Sequence, residues 1–97
     1  MNFFKKSLGQ NFLIDQNIVK KITSLVDIEN KNVLEIGPGS GALTAEILKK
    51  NPRSLIVVEK DKNLSIKLKS KFKKKINFRL YNEDILKIDL EKIIRKN

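Results

Sequence analysis

The feature that most restricts this chain is a run with glycine at alternate positions. Gly37, Gly39 and Gly41 follow the apolar residues Val33, Leu34 and Ile36 and lead into Ala42-Leu43-Thr44. An apolar run, a glycine-rich loop and a helix start together bring backbone close to a ligand. The lack of clean alternation among Val33, Leu34 and Ile36 predicts a parallel strand covered on both faces. The loop then lies outside the carboxyl end of that strand, where open α/β sheets bind ligands.

The residues around the glycines narrow the ligand. The dinucleotide fingerprint G-x-G-x-x-G is not met, because the third glycine comes one position early. Glu35 lies two residues before Gly37, and a carboxylate there repels a pyrophosphate. No Gly-Lys-Ser/Thr follows, which excludes a P-loop. A ligand with positive charge and no phosphate suits the loop better, and S-adenosylmethionine, with its sulfonium and amino group, has that character. The alternative is a glycine turn used only for packing.

Ninety-seven residues suffice for one small domain, and 40% hydrophobic with 33% charged residues describes a core under a highly charged surface. The chain has no cysteine and no histidine, which excludes a disulfide framework, a thiolate or imidazole metal site and a histidine base within it. No run reaches the length of a membrane span, and Met1-Asn2-Phe3-Phe4-Lys5-Lys6 is followed by no apolar segment of a secretory signal. These features point to the cytoplasm. A net charge of +10 calls for an anionic partner, nucleic acid first, unless it reflects lysine-rich composition alone. Aromatic content of 6% excludes a stacking platform for single strands.

Along the chain, Met1 to Ser7 reads as a basic arm or frayed end, followed by Leu8-Gly9-Gln10-Asn11-Phe12-Leu13. Asp15 caps a helix from Gln16, with Ile18, Val19, Ile22, Leu25 and Val26 on its core face. A second helix is predicted over Ala42 to Lys50, stopped by Asn51-Pro52, with Ala42, Leu43, Ile47 and Leu48 inward. Leu55 to Val58 is a second buried strand. It ends at Glu59, about twenty residues after the glycine loop, where such folds place an acid for ribose hydroxyls. Asp61 caps a third helix with Leu64, Leu68 and Phe72 inward and a lysine outer face, either solvated or facing RNA. Ile76, Phe78 and Leu80 alternate as a third strand, after which Asp84 is placed to accept from an adenine amino group or to serve as a turn residue. Leu86 to Arg95 reads as a final amphipathic helix.

These residues resemble the ribosomal RNA adenine N6-dimethyltransferase family. The likeness runs from Lys6 to about Asp89. It is carried by Leu8-Gly9-Gln10-Asn11-Phe12-Leu13, the run from Leu34 to Thr44, Val57-Val58-Glu59-Lys60-Asp61 and Glu83-Asp84-Ile85-Leu86. The Gly-Gln-Asn-Phe-Leu run makes it specific, and Leu8-Gly9 looks more like the small-subunit enzymes than the related macrolide-resistance methyltransferases. The resemblance implies three parallel strands with flanking helices, the N-terminal half of a Rossmann-like, S-adenosylmethionine-dependent methyltransferase sheet. It implies that Asn11 and Leu13 line the methionine end of the cofactor. Gly37 would contact the cofactor through backbone, Gly39 would shape the loop, Glu59 would hold the ribose hydroxyls and Asp84 the adenine amino group. The implied reaction dimethylates N6 of two adjacent adenosines near the 3′ end of small-subunit rRNA, with that RNA or a pre-30S particle as partner.

One departure is large. The family's Asn-Leu-Pro-Tyr type motif, which handles the target adenine, is absent, and so is a helical RNA-contacting C-terminal domain. Adenine N6 is a weak nucleophile because its lone pair is delocalised into the ring. The base must be extruded and its amino group held in line with the methyl. No catalytic residue is therefore assigned. Residues 1–97 are expected to be the cofactor-binding part of a methyltransferase domain, with an edge left at the strand Val33 to Ile36 that invites self-association. The competing expectations are a non-catalytic basic RNA-binding module, a macrolide-resistance-type large-subunit rRNA adenine methyltransferase, and a small-molecule methyltransferase with the same loop, which leaves the Gly9 to Leu13 run and the charge unexplained.

Overall fold

The computed structural model describes residue 21 and residues 23–96. The predicted helix from Gln16 therefore lies largely outside the described residues, as do Asn11 and Leu13. Among those described, three strands alternate with three helices. These are β1 (Asn32–Ile36), α1 (Ala42–Lys49), β2 (Ser54–Val58), α2 (Lys62–Lys71), β3 (Phe78–Tyr81) and α3 (Leu90–Lys96). The sheet order is β1-β2-β3, and both pairings are parallel. This is the expected Rossmann-like arrangement. The register aligns Ile36 with Val58 and Val58 with Tyr81, so the three strands end side by side.

The strand β2 is central, and its composition explains why. Leu55, Ile56, Val57 and Val58 are each at most 5% exposed, as a continuous apolar run on a strand covered on both faces requires. Leu55 and Val57 join Ile47 and Leu48 of α1, Leu68 and Phe72 near α2, Phe78 and Ile28 in one core cluster. Phe72 and Phe78 meet at a centroid distance of 5.4 Å and a tilt of 50°, a favourable aromatic geometry. Strand alternation sends Ile56 and Val58 to the opposite face.

Four expectations are corrected. The strand β1 is covered less fully than expected, with Leu34 half-buried and its end exposed. Val33 packs on the core, but Ile36, one register step out of phase, is 52% exposed. Leu25 and Val26 do not lie on a core face, being 75% and 62% exposed, because the helical backbone ends at Ser24 and Ile28 takes the core position instead. Ile76 precedes the third strand and is 89% exposed. The chain there makes tight turns, with Lys75 N–H on Phe72 C=O and Phe78 N–H on Lys75 C=O. The last helix starts at Leu90, not Leu86. Asp89 caps it, accepting from Lys92 N–H at 3.1 Å, while Leu86 is 90% exposed in the preceding turn.

The other helices obey the sequence closely. Asp61 accepts from Leu64 N–H at 2.9 Å and starts α2. Asn51, at φ 55°, takes the left-handed conformation that ends a helix before Pro52. Ile66 is 57% exposed, out of phase with the inward stripe of Leu64, Leu68 and Phe72.

Candidate functional site

The carboxyl ends of the strands form one row of backbone hydrogen bonds. Gly37 N–H donates to Val58 C=O at 2.9 Å, and Glu59 N–H donates to Tyr81 C=O at 3.0 Å. The parallel ladder thus runs one residue past β1 and β2 and sets Gly37 and Glu59 on adjacent tips. From Gly37 the chain turns through Pro38, whose C=O accepts Gly41 N–H at 3.0 Å. Gly37, Gly39 and Gly41 all have positive φ, at 66°, 60° and 89°.

Two of these glycines do different work. Among the described residues a Cβ on Gly37 would meet nothing within 4 Å, so the space in front of it is open to an approaching molecule. A Cβ on Gly41 would lie 2.6 Å from Leu68 Cδ2 and 3.3 Å from Phe72 Cε2. Gly41 is therefore the position where α1 starts against α2. Its packing role carried no signal in the sequence, because Leu68 and Phe72 lie about thirty residues away in the chain.

Glu59 is 2% exposed and held on every side. Its Oε2 accepts Asp61 N–H at 2.8 Å. Its C=O accepts both the Ser65 hydroxyl at 3.1 Å and the Asn82 amide at 2.9 Å. The remaining oxygen, Oε1, is buried, and no described residue donates to it. Buried carboxylate oxygens are normally satisfied, so an acceptor that no described residue meets makes Glu59 a candidate binding group. Ser65 and Asn82 were not anticipated as supports. Only the return of β3 beside β2 brings Asn82 to Glu59.

Glu35 is also buried, at 7% exposed, and accepts the hydroxyl of fully buried Thr44 at 2.6 Å. Burial pushes its carboxyl from 4.5 up to about 7, against a smaller lowering from the Thr44 bond. Strand alternation accounts for the contact, since Glu35 shares the core-facing side of β1 with Val33. Thr44 sits one helical turn before Ile47 and Leu48 on the inward stripe of α1, a spacing that marks it as a residue facing the sheet.

Asp84 is half-buried, three residues beyond β3. Its Oδ1 accepts Leu86 N–H at 2.9 Å, and its C=O accepts from Lys87 and Ile88, so it organises the turn after the strand. Oδ2 accepts from none of the described residues. Gly37 and Glu59 share neighbouring tips with Asn82; Asp84 lies further along the same segment.

The family described as ribosomal RNA adenine dimethylase matches this chain over residues 1–97. The chain belongs to the ribosomal RNA adenine dimethylase family. Within it, a ribosomal RNA small subunit methyltransferase A of Pelagibacter ubique is 62% identical over 84 residues, covering 87% of this chain and 31% of that protein. Two solved structures are similar in fold. A dimethyladenosine transferase from Plasmodium falciparum has TM-score 0.72 at 27% identity, over 81% of this chain and 30% of that one. The 23S rRNA methyltransferase ErmE has TM-score 0.71 at 31% identity, over 81% and 32%. This dimethylase-family chain spans about a third of the length of its relatives. Among the described residues no helix is long and apolar enough to cross a membrane.

Proposed function

We propose that this chain is the cofactor-binding part of an S-adenosylmethionine-dependent rRNA adenine N6-dimethyltransferase. The observation that carries the reading is the buried Oε1 of Glu59, to which no described residue donates, beside the open, left-handed backbone of Gly37. A ribose presents two hydroxyl donors, and a fixed carboxylate oxygen is the acceptor they need. Gly37 has room for close backbone approach, so the residues present fit an adenosyl group. S-adenosylmethionine, when bound, supplies a methyl group made electrophilic by the sulfonium.

In this reading Glu59 holds the ribose, Asp84 accepts from the adenine amino group through Oδ2, and Gly37 with Gly39 forms the backbone wall. Asn11 and Leu13 line the methionine end. The acceptors that hold the target adenine are not among the motifs of this chain, and no residue here is assigned to the chemical step. The 62% identity over 84 residues to a ribosomal RNA small subunit methyltransferase A supports adjacent adenosines near the 3′ end of small-subunit rRNA as the target. The small-subunit RNA or its precursor particle is the partner, in the cytoplasm.

Titration calorimetry with S-adenosylhomocysteine tests the cofactor reading. The wild-type chain should give saturable heat and Glu59→Gln should bind roughly 10- to 100-fold more weakly, since a hydrogen bond to a charged acceptor is worth about 1.5–3 kcal/mol. The glutamine keeps an acceptor for Asp61 N–H, so the fold survives, which circular dichroism verifies. Equal heats for the two proteins, or none for the wild type, would refute the assignment.

A further inference from the structure

The outer face of α2 and the turn after it form a charged surface that the cofactor site does not use. We propose that this surface docks the phosphate backbone of RNA, without sequence preference, away from the site at the strand tips. The choice of RNA as the occupant rests on the proposed function; the surface itself rests on its charge, its exposure and its place in the fold.

Lys67, Lys69, Lys71, Lys73, Lys74 and Lys75 are all exposed. From Lys62 to Asn82 there is no acidic residue, although Arg79 adds a further positive charge. None of the lysines of this segment pairs with a carboxylate among the described residues. The ion pairs found there are Lys49 with Glu46 on α1 and Arg95 with Glu91 on α3. Lys67 and Lys71 are four residues apart on one helix, a like-charge spacing that destabilises it. Its opposite flank carries Lys62 and Lys69. A merely solvated helix gains from interspersed acids, as α1 and α3 do. Here the charge stands uncompensated, and the helix is held instead by the Asp61 cap and the burial of Leu68 and Phe72.

The placement of this surface sets its reach. At its start, α2 leaves the tip of β2, close to Glu59. Its far end turns back into the start of β3, at the opposite end of a parallel sheet. Asn77 pins that turn, its amide donating to Pro52 C=O at 2.9 Å and its own C=O accepting Leu55 N–H at 2.8 Å. Ten helical residues span about 15 Å, so the lysines from Lys67 onward run down the side of the molecule, away from the strand tips and toward its far end.

The chemistry selects the partner. Lysine offers a point charge suited to phosphate, and no exposed aromatic ring lies within the patch to stack on a base. The apolar stripe of α2 is buried against the sheet. Ile66 and Ile76, both exposed, stand singly and form no face to insert into a lipid surface.

Fluorescence anisotropy with a labelled RNA hairpin tests the proposal on the wild-type chain and two variants of equal charge. One carries Lys67, Lys71, Lys73 and Lys74→Gln. The other carries Lys31, Lys50, Lys92 and Lys96→Gln, all exposed and outside the patch. The patch variant should lose at least tenfold in affinity near 0.15 M salt. Its slope of log affinity against log salt should fall by about 3, as the loss of four phosphate contacts requires. The dispersed variant should lose less than threefold. Equal losses in the two variants would reduce the effect to bulk charge and overturn the proposal. So would the absence of RNA binding, or tighter binding to phosphatidylserine vesicles than to RNA. Calorimetry with S-adenosylhomocysteine separates this result from the cofactor reading, because the patch variant should keep its heat while Glu59→Gln should keep its RNA affinity.

Discussion

Gly41→Val should be the most damaging single substitution in the glycine loop, lowering stability by about 2–5 kcal/mol. Two effects add. The residue sits at φ 89°, where a side chain is strained. Its Cβ would also be driven to within 2.6 Å of Leu68 Cδ2 and 3.3 Å of Phe72 Cε2. Leu68 and Phe72 are 2% and 8% exposed, so neither has free space to move into. Domains of this size are stable by roughly 5–15 kcal/mol, so the loss is a large share of the total. Urea denaturation measures it. Gly37→Ala is the matched control, since no described residue lies within 4 Å of the added atom and only the backbone strain, about 1–2 kcal/mol, remains. The contrast would vanish if the two variants melted alike. In calorimetry the order should reverse for any Gly41 variant that still folds. Gly37→Ala should impair S-adenosylhomocysteine binding more, because its methyl occupies the space left for the ligand.

The second large effect is a pH dependence that originates at Glu35. The folded protein holds the Glu35 proton up to a pKa of about 7, against 4.5 in an unperturbed carboxyl. Below about 4.5 the group is protonated in both the folded and unfolded chain and adds nothing to the slope. As pH rises from there through about 7, the unfolded chain ionises first. This contribution to stability is therefore lost progressively, by a total on the order of 3 kcal/mol. Glu35→Gln removes the ionisation but keeps an oxygen for the Thr44 hydroxyl. The variant should melt higher than the wild type at pH 8, by roughly 12–24 °C for a domain of this length, and the gap should close toward pH 5. Thermal melts at both pH values decide it; parallel curves for the two proteins would remove Glu35 as the source.

Much of this architecture is legible in local patterns. The unbroken Leu55 to Val58 run foretells a strand covered on both faces. Asp61 foretells the start of α2, and the spacing of Leu64, Leu68 and Phe72 its buried face. The glycine run marks a loop with left-handed backbone, because no other residue type adopts it so readily. The failures occurred where a chain pattern continued past the point where backbone geometry changed. Leu25 and Val26 kept helical spacing after the helix had ended. Ile76 kept strand alternation before the strand began. Leu86 lay in the helical pattern, but Asp89 provided a better cap three residues later.

What the sequence alone determined is the inventory: three parallel strands, a glycine loop, an acid after the second strand and an uncompensated lysine face. Each of these depends on residues close together in the chain, where spacing and residue type act directly on backbone conformation. Only the tertiary structure decided the partners. It set Asn82 and Ser65 on the backbone of Glu59, buried one oxygen of that carboxylate where no described residue donates to it, and joined Thr44 to Glu35. It also made Gly41, and not Gly37, the packing glycine. These outcomes depend on which strand lies beside which and at what register, and sheet pairing brings together residues whose separation along the chain carries no local signal.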